Sequence, residues 1–253
     1  MRVNLAKRRM LEGKPAIGAV VHLGSPLAAE FLSLEGFDFV LVDGQHGIWD
    51  DNSIMLAFRG ICVGPAVPMA RVQENNYYAI GRLLDRGALG IAVPMINSVE
   101  DAERVAFAAR YPPKGGRSSG SFGARFHGPD YQSWSNDELF LAVQIETKQA
   151  VERAEDILVV DGIDGCWIGP VDLGYSMGVD LNTPEGAAAH EAAILSVLEA
   201  CRKTNKIPGI AITGTDDIQR RIGQGFLFAT ASNDVGFMLN SARETLHKLG
   251  RGT

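Results

Sequence analysis

The chain has 253 residues, is 46% hydrophobic and carries a net charge of −6. That length suits one barrel-sized domain with a large core, and the acidic balance argues against nucleic acid or an anionic membrane as partner, since both call for a basic face. The three cysteines, Cys62, Cys166 and Cys201, are widely spaced with no CxxC pair, which fits reduced thiols in a cytoplasmic protein better than a disulfide framework or a zinc site.

At the amino terminus, Lys7, Arg8 and Arg9 precede the apolar run AIGAVVHL. This loosely imitates a signal peptide, but Glu12, Lys14 and Pro15 interrupt it and His22 lies inside it, so a short helix leading into a first strand is expected. No stretch approaches the ~18 apolar residues of a membrane span. Beyond this point, apolar runs bounded by Gly or Pro alternate with segments of helical period. Strands are expected over 15–23, 38–43, 67–71, 89–94, 141–146, 164–169, 208–212 and 226–231. Helices are expected over 26–35, 51–61, 74–86, 98–109, 148–158, 186–204, 215–224 and 234–249, with Ser25, Ser98, Thr183 and Thr215 as starting caps. Eight such units in one domain, residues 1–253, predict a (β/α)8 TIM barrel of class α/β. An open doubly wound sheet is disfavoured because no strand is followed by a GxGxxG turn. Residues 110–137, rich in Gly, Pro, Ser and Arg, show no clear period. A loop this long is expected to serve an interface or to cover an active site, its own or a neighbouring subunit's.

Four strands end in chemistry. FDFVLVDGQHG closes on Asp43, Gln45 and His46, VPMAR on Arg71, LAVQIE on Glu146, and GCWIGPVD on Asp172. The carboxyl edge of the sheet is where ligands bind in α/β folds. One acid at a strand end usually makes a salt bridge or accepts from loop amides. Two on consecutive strands suit Mg²⁺ or Mn²⁺, which keep waters and complete their shell with substrate oxygens.

His46, in a tight turn, is a natural general base, oriented by Asp43 or by Asp85 of LLDRG; its bland alternative is a hydrogen bond that stabilises the turn. His22, His127, His190 and His247 carry less weight. Arg71 suits an oxyanion, although a salt bridge across the rim explains it equally well. The turn IGPVD offers the N–H groups of Gly169, Val171 and Asp172 to a carboxylate. No lysine sits within an apolar strand, which disfavours imine chemistry. Together these groups suit a small 2-oxo acid whose enolate is stabilised at the rim.

FDFVLVDGQHG, LLDRGALGIAVPMINSVEDA, ARYPPKGGRSSGS, VQIET and DGIDGCWIGPVDLGYSMG resemble, in order, the HpcH/HpaI aldolase family of metal-dependent (class II) pyruvate aldolases. The resemblance spans about residues 5–240. It implies a barrel with a swapped C-terminal helix, a homo-oligomer (a hexamer), and cleavage or formation of 4-hydroxy-2-oxo acids from a 2-oxo acid and an aldehyde. By motif, His46 would be the base, Asp85 its partner and Arg71 the enolate stabiliser. Glu146 and Asp172 would bind Mg²⁺ or Mn²⁺, with Co²⁺ and Zn²⁺ as alternatives, and Gln144, Val171 and Asp172 would contact substrate.

Three departures stand out: Gln45 where the family usually has glutamate, Val20 and His22 in the first strand, and Trp167 before IGP. They bear on the acceptor side. Two other readings use the same residues: an oxaloacetate-type decarboxylase or macrophomate-synthase-like C–C lyase on the same enolate site, and a barrel that binds a 2-oxo acid without turnover.

Overall fold

The computed structural model describes residues 3–212 and 214–251. In chain order the elements are α1 (Leu5–Leu11), β1 (Ala16–Val21), α2 (Pro26–Leu34), β2 (Phe39–Asp43), α3 (Asp51–Ile61), β3 (Val67–Arg71), α4 (Tyr77–Arg86), β4 (Gly90–Val93) and α5 (Val99–Ala109). A 3-10 turn at Gly123–His127 and α6 (Tyr131–Glu138) follow, then β5 (Phe140–Ile145), α7 (Lys148–Glu152), α8 (Ala154–Leu158), β6 (Gly165–Ile168) and α9 (Pro170–Met177). The chain finishes with α10 (Pro184–Thr204), β7 (Gly209–Ala211), α11 (Thr215–Gln224), β8 (Phe228–Asn233) and α12 (Asp234–Lys248). All eight strands are parallel, each beside its sequence neighbour, and β8 closes on β1. The expected (β/α)8 barrel is therefore the fold.

Strand residues alternate between two cores, as the period of two requires. Phe39, Leu41, Val67, Met69, Phe140 and Ala142 fill the barrel interior. Their neighbours Val40, Val42, Ala70, Leu141, Val143 and Ile145 meet the surrounding helices. Extending that parity to the carboxyl ends turns Asp43, Arg71, Gln144 and Glu146 inward, onto the top of the packed interior. Gly18 is needed for close approach: a Cβ there would lie 2.2 Å from the Phe39 ring. The floor is closed by α1. Its Ala6 and Met10 join the interior cluster, and Asn4 Nδ2 donates to the carbonyls of Leu89 (2.8 Å) and Glu138 (3.0 Å).

Four expectations need correction. Thr215 is the first residue of α11, whose cap is Gly214, and makes no capping hydrogen bond among the described residues. The single helix expected over 148–158 breaks at Arg153 into α7 and α8. The interval 110–137 is not a bare loop: it holds the 3-10 turn and most of α6. The buried residues of α6 are Tyr131, Trp134, Ser135 and Glu138, a helical i, i+3, i+4, i+7 stripe that two polar members hide from a hydrophobicity pattern. The stretch after β6, read as a turn, is instead the start of α9 with Pro170 in its first position.

Candidate active site

Strand register assembles one half of the site. Val21 pairs with Val42 and Asp43 with Arg71, so His22, Asp43 and Arg71 come level at the carboxyl ends of three adjacent strands. Asp43 is fully buried and gathers donors from both sides. Its Oδ1 accepts from Arg71 Nε at 2.8 Å and from the backbone N–H groups of Gln45 (3.0 Å) and His46 (3.3 Å). Its Oδ2 accepts from Arg71 Nη2 and pairs with His22 Nε2 at 2.7 Å. Burial alone would raise this carboxyl. The hydrogen bonds from His22 and Arg71, with the guanidinium charge, outweigh it and hold Asp43 well below the usual carboxylate range. One buried acid thus aims the arginine and shapes the turn that carries His46.

The other half lies across the mouth. Glu146 directly follows β5 and is 2% exposed. Its Oε1 accepts from Met95 N at 2.8 Å and its Oε2 from Gln144 Nε2 at 2.8 Å. Met95 adopts φ +58, a left-handed conformation that is costly for a side-chain-bearing residue and is found most often at functional sites. Burial pushes the Glu146 carboxyl up and the charge of Asp172 pushes the same way, against the Met95 amide and Arg71. Asp172 does not end a strand, as expected from sequence; it is the third residue of α9, in its first turn. There the N–H groups of Val171 and Asp172 have no helical acceptor, and the helix dipole favours an anion.

Gln144 Oε1 is buried with no partner among the described residues. An unmatched acceptor beside the Glu146 carboxylate is costly unless a cation, a water or a substrate donor meets it. The hard oxygen donors Glu146 and Asp172 fit a divalent cation of the Mg²⁺ or Mn²⁺ type.

One expected pairing does not form within the chain. The His46 side chain makes no hydrogen bond among the described residues, and Asp85, near the end of α4, accepts from Arg117 Nη2 at 2.7 Å. Arg117 is itself buried, with its guanidinium carbon 4.4 Å above the Tyr111 ring. Asp85 faces a cleft of about 480 Å³ that it shares with Asp51, Arg82 and Phe122. His22 is the residue that sequence reasoning underweighted; its inward parity with Asp43 and Arg71 was the available signal.

Residues 17–241 match the profile of the family described as HpcH/HpaI aldolase/citrate lyase. The chain belongs to this family. The 4-hydroxy-2-oxo-heptane-1,7-dioate aldolase of Shigella flexneri is 35% identical over 256 residues, covering 99% of this chain and 94% of its own. A HpcH/HpaI aldolase/citrate lyase family protein from Burkholderia cenocepacia J2315 has a TM-score of 0.89 at 29% identity, over 98% of this chain and 99% of that one. The citrate lyase β subunit of M. tuberculosis, complexed with oxaloacetate and magnesium, shares the fold at 13% identity and a TM-score of 0.59, over 88% of this chain and 93% of its own. The protein is an enzyme, a lyase of the aldolase type. No helix among the described residues is long and apolar enough to cross a membrane.

Proposed function

We propose that the enzyme is a divalent-metal-dependent aldolase that makes or cleaves 4-hydroxy-2-oxo acids through a pyruvate-type enolate. The observation that carries this reading is the placement of Arg71 at the end of β3, buried Glu146 just after β5 and Asp172 in the first turn of α9 after β6, all at the carboxyl end of the barrel. Glu146 and Asp172 would hold the cation, which when bound supplies the electron withdrawal that makes the carbon beside the ketone acidic. The amides of Val171 and Asp172 hold the substrate carboxylate at the start of α9. His46 takes a proton from the carbon beside the carbonyl, and Arg71 faces the negative charge left on the enolate oxygen. The enolate carbon then attacks the aldehyde carbon. A carbon–carbon bond forms, and the aldehyde C=O pair moves onto oxygen, which takes up one proton. Cleavage runs the same steps backward.

The pairing of His46 with Asp85 belongs, on this reading, to a homo-oligomer, taken to be a hexamer, in which Asp85 serves a neighbouring copy. The open cleft before Asp85 supports it. So does α12, whose Met238 and Leu246 are 55% and 45% exposed, as expected of a helix that exchanges between partners. A cytoplasmic setting fits three widely spaced cysteines with no CxxC pair.

With Mn²⁺ or Mg²⁺ present, the enzyme should exchange the methyl protons of pyruvate in D₂O, followed by proton magnetic resonance. A folded protein that shows no exchange with any common divalent ion would sink the aldolase reading. Gly169→Ala tests the ligand cradle separately. A Cβ there would lie 2.6 Å from Glu146 Oε2, so the carboxylate must shift. Mn²⁺ affinity should fall about tenfold or more, the scale seen when ligand orientation is disturbed. Wild-type affinity in this variant would remove Glu146 from the ligand set.

A further inference from the structure

We propose that the acceptor half of this site takes a short, uncharged, hydroxyl-bearing aldehyde and discriminates against one that ends in a carboxylate. This rests on the aldolase reading and adds the class of the second substrate. A cavity of about 310 Å³ opens at the barrel mouth beside Arg71. Trp167, Val171 and Ile212 form an apolar wall, and Thr230, Ser232 and Asn233 on β8 form a polar one.

The charges around this cavity already answer one another. Arg71 spends two nitrogens on Asp43. His22 pairs with the same carboxylate at 2.7 Å, and its other ring nitrogen lies 3.9 Å from Asp234. Asp217 receives Arg220 Nε at 3.0 Å and Nη2 at 2.5 Å. Among the described residues, no other basic side chain lines the cavity. A second substrate carboxylate would lose water here and meet only the neutral donors of Ser232 and Asn233, with the carboxylate of Asp217 nearby and no unpaired cation to offset its charge.

Hydroxyl groups meet the opposite situation. Ser232 Oγ makes no hydrogen bond among the described residues. Asn233 spends its Oδ1 on the N–H of Gly236 at 2.8 Å, and its Nδ2 donates to no described residue. A substrate hydroxyl both donates and accepts, and so suits a serine hydroxyl beside an amide N–H. A volume of about 310 Å³ is at the small end for a ligand site, which favours a short chain.

The test uses the full chain loaded with Mn²⁺ and pyruvate as donor. It compares kcat/KM for glycolaldehyde and glyceraldehyde with that for succinic semialdehyde, a four-carbon aldehyde ending in a carboxylate. The hydroxyaldehydes should win by at least about tenfold, the scale of one unanswered polar group. Equal or better use of the semialdehyde overturns the proposal. Ser232→Arg places a cation on the polar wall and should shift the ratio toward the semialdehyde by about tenfold or more. A folded Ser232→Arg enzyme with the wild-type ratio shows that this cavity does not receive the acceptor. Pyruvate proton exchange in the wild-type enzyme separates the two levels: exchange without the preference defeats only the acceptor class, whereas no exchange defeats both.

Discussion

Asp43→Asn should lower stability by about 3 kcal/mol and turnover by about a hundredfold. The fully buried carboxylate serves Arg71 twice, His22 once and two backbone amides. Asparagine keeps the shape but loses the charge, and it puts an N–H₂ group where Arg71 and His22 already donate. Removing one partner of a buried pair costs roughly 3–5 kcal/mol, and the lower end applies because Arg71 still reaches the mouth. For a chain of this size that corresponds to a fall in Tm on the order of 10 °C. The loss of turnover follows from geometry: the arginine and the His46 turn lose a common anchor, and a misplacement of about 1 Å is worth about a hundredfold.

The effect carries a pH signature. Because the folded protein holds the Asp43 carboxyl well below its ordinary value, its stabilisation is complete above the unfolded value of about 3.9. It is lost as pH falls through the depressed folded value. The Tm gap between wild type and Asp43→Asn should therefore be flat from pH 5 to 7 and shrink below about pH 4. A gap that stays constant down to pH 2, or one smaller than about 1 kcal/mol at neutral pH, would contradict the buried-anchor account.

Glu146→Gln should abolish metal-dependent turnover, with kcat/KM reduced by about a thousandfold or more, or ~4 kcal/mol of transition-state stabilisation. The substitution keeps volume and removes one negative charge from a site where burial and Asp172 already resist ionisation. The metal-free variant should therefore melt no lower than the metal-free wild type. Mn²⁺ should raise the Tm of wild type, as any ligand specific to the native state does, and should leave that of the variant almost unchanged. Calorimetric titration reads the same loss directly. Full Mn²⁺ occupancy in Glu146→Gln would overturn the ligand assignment, and a large drop in metal-free Tm would mean that the residue is structural.

The strands were legible because eight short apolar runs, many of them bounded by Gly or Pro, recur with helical segments between them. Their polar ends were legible for the same reason: Asp43, Arg71 and Glu146 each break an apolar run. The residues that escaped lie where local pattern and burial disagree. The stripe Tyr131, Trp134, Ser135, Glu138 is half polar because Glu138 turns inward to receive Asn4 N at 2.8 Å, a partner 134 residues away in sequence. The start of α9 reads as a turn because Pro170 and two glycines surround a helix of only eight residues. His22 reads as a stray imidazole until Asp43 is placed beside it.

The sequence by itself determined the barrel, the carboxyl-edge position of its polar strand ends and the family to which the chain belongs, since all three rest on period, order and motif. Which acid serves which base was decided only by the tertiary structure. Asp43 and Asp85 are equally available to His46 on paper. In the fold, the register of β1, β2 and β3 commits Asp43 to Arg71 and His22, and Arg117 claims Asp85 within the protomer. Hydrogen-bond partners separated by tens of residues are set by strand register and side-chain direction, which a linear pattern does not encode.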